Sequence, residues 1–389
     1  MNPSANGWLK KLLGVIENSI LWNLNTSLFY QQLKSTGFIY GSNLSVIEEG
    51  LSQLELSEEE CCKTNMVLGL YYFYRLEECQ LAFTTSVVEF YKAIDGYKQS
   101  IFSSILGNSN SETTVETIIH QRIHIEGFPF TKNFNYFLIN ALLFIDILAY
   151  QQFLKGRSDL KFYITNYEAA LETAVFKVLN SKTTKTKYDK NLIKLFESSM
   201  RYQDENQVTT QRLSNIVKSP LEKQYLIDIV CMASWSDTYI DKQEYAYLAQ
   251  LKKDLAINHL IITRSIDDIH TFYKRHKNDI PFLNQRNLAQ SFYDNSSGLV
   301  MRLIKRNSKR LLKELSQSKE AVVLLSKSTQ RSLSDEEQKI IQTQLLDIFK
   351  TIPSLAIFLL PGGMLLMPIV IKLIPQLLPS AFDDNKIDD

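Results

Sequence analysis

A chain of 389 residues is long enough for two or three hydrophobic cores, and its formal net charge of +1 gives no electrostatic reason to expect nucleic acid as a ligand. Hydrophobic residues make up 45% and charged ones 22%, an ordinary globular balance, so a long apolar run anywhere in the chain is a local feature. No phosphate-binding glycine loop, nucleophile elbow or zinc signature is present; no catalytic residue is assigned, and an enzyme is not expected.

Of nine prolines only Pro129, Pro220 and Pro281 lie between residues 4 and 352, and alternating Val/Thr-rich runs are lacking. The pattern predicts an all-α fold: multi-helix bundle domains followed by a proline-broken hydrophobic segment at the carboxy-terminal end. Cys61, Cys62, Cys79 and Cys231 form no C-x-x-C pair, which reads as reduced thiols in a cytosolic compartment.

From Trp8, the residues Leu9, Leu12, Leu13, Ile16 and Ile20 recur at helical spacing opposite Lys10, Lys11 and Glu17. This is expected to be a first helix docked on the core, or an interfacial helix touching lipid. Glu17 and Asn18 interrupt the apolar run before any cleavage site, so it is not read as a secretory signal and the bulk of the chain is expected to be cytoplasmic.

Gly37 to Ser42 reads as a turn, Ser57 with Glu60 opens a helix, and the aromatic-rich runs 66–74 and 81–91 read as core. Glu116, His120 and His124 fall on one helical face, expected to be solvated. Residues 134–154 are apolar with Asp146 as the single charge and are expected to be a core helix. An amino-terminal bundle is assigned to 1–202 and a linker, rich in Gln, Thr, Ser and Asn, to 203–220.

In the next region, 221–292, a helix ends in Ala233 and Asp237 and a new one begins after Ile240, Asp241 and Glu244. These residues resemble the acidic turn of the tellurite-resistance TerB-like helical domain, with Thr238 in place of its glycine. Asp237, Asp241 and Glu244 can hold a divalent cation through carboxylate oxygens, or Asp241 and Glu244 can form a capping box that needs no metal. No cofactor is otherwise implied.

Basic amphipathic helices are expected over 293–350, with Arg302, Lys305, Arg306, Lys309 and Arg310 facing lipid. Ser334 and Glu337 form another capping box. The run 352–371 then carries no charge over twenty residues, enough for an unbroken helix to cross about 30 Å of hydrocarbon. Pro353, Pro361, Pro368, Pro375 and Pro379 cut it into short pieces around Gly362 and Gly363, and Lys372 marks its far end.

Asp347, Lys350, Ile352-Pro353, Leu360-Pro361, Pro368, Lys372-Leu373, Pro375 and Leu378-Pro379-Ser380 resemble the transmembrane signature of the leucine-zipper and EF-hand containing transmembrane (LETM) family. Where its members carry a glutamate between the two central prolines, this chain has Gly362, Gly363 and Met364. The resemblance implies a membrane segment over 351–382, an inner-membrane location, a role in cation homeostasis, and likeness to bacterial LETM-related proteins described as biofilm-associated. Membrane lipid, a second copy of the chain and an unidentified protein are the expected partners; a cytosolic TerB-like scaffold is the alternative.

Overall fold

The computed structural model describes residues 2–51, 53–94, 110–123, 143–185, 190, 193, 210–234, 240–276, 297–298, 300–301, 303–305, 307–352, 355, 358 and 366–379. Among them all regular structure is helical, as the breaker-poor sequence requires. The helices are α1 (Trp8–Ile16), α2 (Thr26–Ser35), α3 (Glu58–Leu76), α4 (Phe83–Ile94), α5 (Ser111–Ile123), α6 (Leu143–Leu154), α7 (Leu160–Ser181) and α8 (Thr210–Ile216). They continue with α9 (Pro220–Ser234), α10 (Lys242–Asp254), α11 (His259–His276), α12 (Ser308–Gln317), α13 (Lys319–Gln330), α14 (Asp335–Thr351) and α15 (Met367–Leu377).

Local chemistry fixes where several of these begin. Ser57 Oγ accepts from the Glu60 N–H at 3.3 Å while Glu60 Oε2 accepts from the Ser57 N–H at 2.9 Å, a capping box that opens α3. Ser334 and Glu337 repeat it for α14, and Asn25 Oδ1 caps α2 by accepting from the Leu28 N–H at 2.9 Å. Helix α1 has no side-chain cap of its own. Instead, Glu116 on α5 accepts the Leu9 and Gly7 N–H groups at 2.8 and 3.0 Å, so a carboxylate from another helix satisfies the donors of the first turn. Trp8, Leu9, Leu12 and Ile16 are buried, so α1 is docked on the core. The expected solvated face of α5 therefore holds for His120 alone: Glu116 is buried, and His124 lies outside the described residues.

Helix α3 packs on α6, α6 on α7, and α9 lies between α7 and α11, so helices on either side of 203–220 share one core. Part of that expected linker is itself helical, as α8. The α3–α6 crossing is close at Gly69, where an added Cβ would overlap the Ile147 side chain. The core is rich in aromatic rings, among them Phe29 stacked on Tyr72 at 3.9 Å and Phe144 between Tyr30 and Tyr225 at 5.2 and 5.0 Å.

Two sets of charges lie inside this core. Asp146 on α6, fully buried, accepts from Arg122 Nε at 2.8 Å, Arg122 Nη2 at 3.0 Å and the Tyr91 hydroxyl at 3.0 Å. Burial by itself would lower the guanidinium pKa; the Asp146 carboxylate beside it outweighs that and raises the pKa, so Arg122 keeps its charge inside the core. Lys34 on α2 bridges Asp228 on α9 at 3.3 Å and Asp268 on α11 at 2.5 Å, and the Tyr30 hydroxyl donates to Asp228 at 2.8 Å. These contacts tie α2, α9 and α11 to one register.

The carboxy-terminal helices α12 to α15 pack on one another, with α13 against both α14 and α15. Here the sequence expectation is corrected. No described helix is long and apolar enough to cross a membrane, and α15, with eleven residues, spans about 16 Å. Leu355, Phe358, Leu366, Met367, Val370 and Ile374 are fully buried in the protein. Phe358 lies 5.0 Å from Phe349 of α14. The cause is the proline pattern. Ile352, which precedes Pro353, is forced to extended backbone (φ −119°, ψ 101°) and ends α14, while Pro368 sits in the first turn of α15, where its missing N–H is not needed.

Because an unpaired buried charge is far costlier than a paired one, Asp146→Ala is expected to cost about 3–5 kcal/mol. Replacing Asp146 and Arg122 together with apolar residues of similar volume should cost much less. Urea unfolding followed by circular dichroism measures both, and equal losses for the single and double variants would contradict the account.

Candidate functional site

Two candidate regions can be built from these elements: the acidic turn before α10, and the module of α12 to α15 that carries the predicted basic and proline-rich residues.

At the acidic turn, Asp241 is the N-cap of α10. Its Oδ1 accepts from the Gln243 and Glu244 N–H groups at 2.7 and 2.8 Å, and Glu244 Oε2 accepts from the Asp241 N–H at 2.8 Å. The second Asp241 oxygen accepts from the Thr183 N–H at 2.8 Å, which ties the carboxy-terminal end of α7 to the start of α10. Partial burial pulls the Asp241 pKa upward, but the N–H groups of Thr183, Glu244 and Gln243 outweigh it and hold the carboxyl below its ordinary value. The turn is thus a capping box with a further, long-range hydrogen bond from Thr183. Asp237, the other member of the expected cation set, lies outside the described residues. Among the described residues no three His, Cys, Asp or Glu side chains are placed to share a metal ion.

In the carboxy-terminal module, α12 buries Leu311 and Leu315 against its neighbours and leaves Lys309, Arg310 and Lys313 exposed, with Lys305 exposed one turn earlier. The apolar side of this helix is consumed by the fold, and what it offers outward is charge. Arg302 and Arg306 lie outside the described residues. Lys372 is exposed on α15 between buried Ile371 and Leu373; Pro368 and Pro375 are half-buried and Pro379 is exposed. Pro353, Pro361, Gly362 and Gly363 are outside the described residues.

The fold thus defines an all-α protein with a compact carboxy-terminal helical module bearing an exposed basic face. Residues 333–389, which include α14 and α15, match the family described as LETM1-like, RBD, so the last 57 residues are similar to that family. The match opens just before α14 and contains the whole proline-punctuated stretch. No curated protein matches the chain, and no solved structure does.

The residues missed from sequence are the buried partners. Asp146 is visible as a lone acid in an apolar run, but Arg122, 24 residues earlier, carries no local signal that it is the counter-ion. Lys34 and Asp228 are 194 residues apart and equally silent.

The depressed Asp241 pKa gives a pH signature. A carboxyl held low in the folded state contributes stability that is full above its unfolded value and is lost as pH falls through the folded one. The thermal midpoint gap between the native chain and Asp241→Asn should therefore be widest near neutrality and close as pH drops below the carboxylate range. A gap independent of pH would contradict the cap.

Proposed function

We propose that this is a membrane-associated, non-enzymatic helical protein of the LETM-related type that serves cation homeostasis by docking on an anionic bilayer surface. The observation that carries the reading is the exposed row Lys305, Lys309, Arg310 and Lys313, on and just before a helix whose apolar side is already buried, leading into the LETM1-like segment. Such a face gains about 1 kcal/mol per lysine or arginine close to anionic lipid, with no need to insert. The inner membrane with the bulk of the chain in the cytoplasm is the location that accords with it. A bacterial, biofilm-related setting remains part of the same proposal.

A second reading follows from the burial of Leu355, Phe358, Leu366 and Val370 within the chain itself. On that reading the protein is a cytosolic scaffold, TerB-like in its middle, whose acidic turn or helical surfaces hold a cation or a protein partner. Homo-oligomerisation accords with either.

Sedimentation of the full chain with lipid vesicles separates the two. The docking reading expects binding to vesicles rich in anionic lipid, weak binding to neutral ones, and decline with salt. Changing Lys305, Lys309, Arg310 and Lys313 to Gln should weaken it by on the order of 100- to 1,000-fold. Absence of binding to either vesicle favours the scaffold. Cation or proton flux in vesicles carrying the protein tests exchange itself, and flux no greater than in empty vesicles removes it.

A further inference from the structure

A second surface stands out by composition. The short 3₁₀ turn Ile20–Asn23 brings Trp22 onto α3, where its ring meets Tyr71 edge-on at 5.0 Å. Tyr71 continues to Tyr74 at 5.7 Å and to Phe83 of α4 at 5.0 Å, and Tyr74 meets Phe83 at 5.3 Å. Trp22, Tyr71 and Tyr74 are only half-buried. Aliphatic side chains on the elements that carry these rings stand out into solvent: Ile20 is 67% exposed, Leu76 47% and Leu81 48%. Contiguous exposed apolar surface is the kind of feature that marks an interaction site, and here three aliphatic side chains stand out beside a run of half-buried rings.

The hydrogen-bonding groups of this patch narrow what it docks. Trp22 Nε1 donates to the Ile16 carbonyl at 2.6 Å and the Tyr74 hydroxyl donates to the Leu81 carbonyl at 2.8 Å. At protein interfaces the polar ends of such rings usually reach the partner; here both are spent on the chain itself. The neighbouring charges cancel as well. Lys155 pairs with Glu77 at 3.3 Å, and exposed Arg75 and Glu78 are of opposite sign. With the polar ends of Trp22 and Tyr74 used internally and the neighbouring charges balanced, the patch offers mainly apolar contact.

We infer that the Ile20–Trp22–Tyr71–Tyr74–Leu81 patch is a membrane-contact surface that seats its aliphatic tips among lipid acyl chains at the bilayer interface. The inference rests on the membrane-associated reading above but uses a different surface and a different force. Basic residues of α12 recruit by charge, whereas the patch binds by removing apolar area from water.

The test uses the full-length chain with vesicles whose acyl chains are brominated, which quench tryptophan at contact distance. Emission should fall on binding in the native protein, and most of that fall should vanish in Trp22→Phe. The double variant Ile20→Glu, Leu81→Glu, both at exposed positions, should keep the native circular dichroism and thermal midpoint yet partition at least about tenfold less. Binding to anionic vesicles with Trp22 emission unchanged would overturn this inference and leave the basic-face reading standing. No binding to any vesicle would overturn both. A dimer in sedimentation velocity that the double variant dissolves, with unquenched Trp22, would reassign the patch to a second copy of the chain and overturn the lipid assignment.

Discussion

Proline spacing in the last forty residues decides what kind of protein this is. A helix in lipid satisfies all of its backbone groups internally, and every interior proline removes one of those bonds. Pro353 turns Ile352 extended and stops α14, and α15 begins again with Pro368 in its first turn. A helix as short as α15 does not cross a bilayer by itself. It can be packed in protein: α13, which buries Val322 and Leu325, packs against α15, whose Val370 and Ile374 are buried, and Phe349 of α14 meets Phe358. The described residues of that apolar run, Leu355, Phe358 and those of α15, contribute to the core of a small helical module.

The remainder of the chain obeys the same rule at the level of charge. Lys34, Asp228, Arg122 and Asp146 are all removed from water, and each is paired with hydrogen-bonding geometry that makes the removal tolerable. Their net contribution to stability is small, since desolvation offsets most of the attraction. What they do impose is register. Lys34 reaches α9 and α11 at once, and Arg122 fixes α5 against α6, so a slip of one turn in any of these helices strands a charge.

Sequence reading succeeded where the determinant is local. The capping boxes at Ser57–Glu60, Asp241–Glu244 and Ser334–Glu337 involve residues three apart and open helices where the pattern places them. The residues from Asp347 to Ser380 that carry the resemblance likewise lie inside the segment 333–389 that matches the LETM1-like family. Reading failed where the determinant is a partner. Twenty uncharged residues look the same whether lipid or protein will cover them, and the surroundings of Val370 and Ile374 emerge only once α13 is placed against α15. Tyr71 reads as core in the sequence, and Trp22, far from it in the chain, gives no signal of its own; their half-exposed edge exists only after the turn at Ile20–Asn23 folds onto α3.

Membrane attachment from the outside, by charge and by a surface patch, leaves a different fingerprint from attachment by a span. The most direct measurement is extraction of native membranes carrying the full-length chain, first with high salt and then with alkaline carbonate. The structure predicts that the protein leaves the membrane in these washes and is recovered from the supernatant. Retention through both, with release only by detergent, would contradict the burial of the carboxy-terminal apolar residues in the chain's own helices.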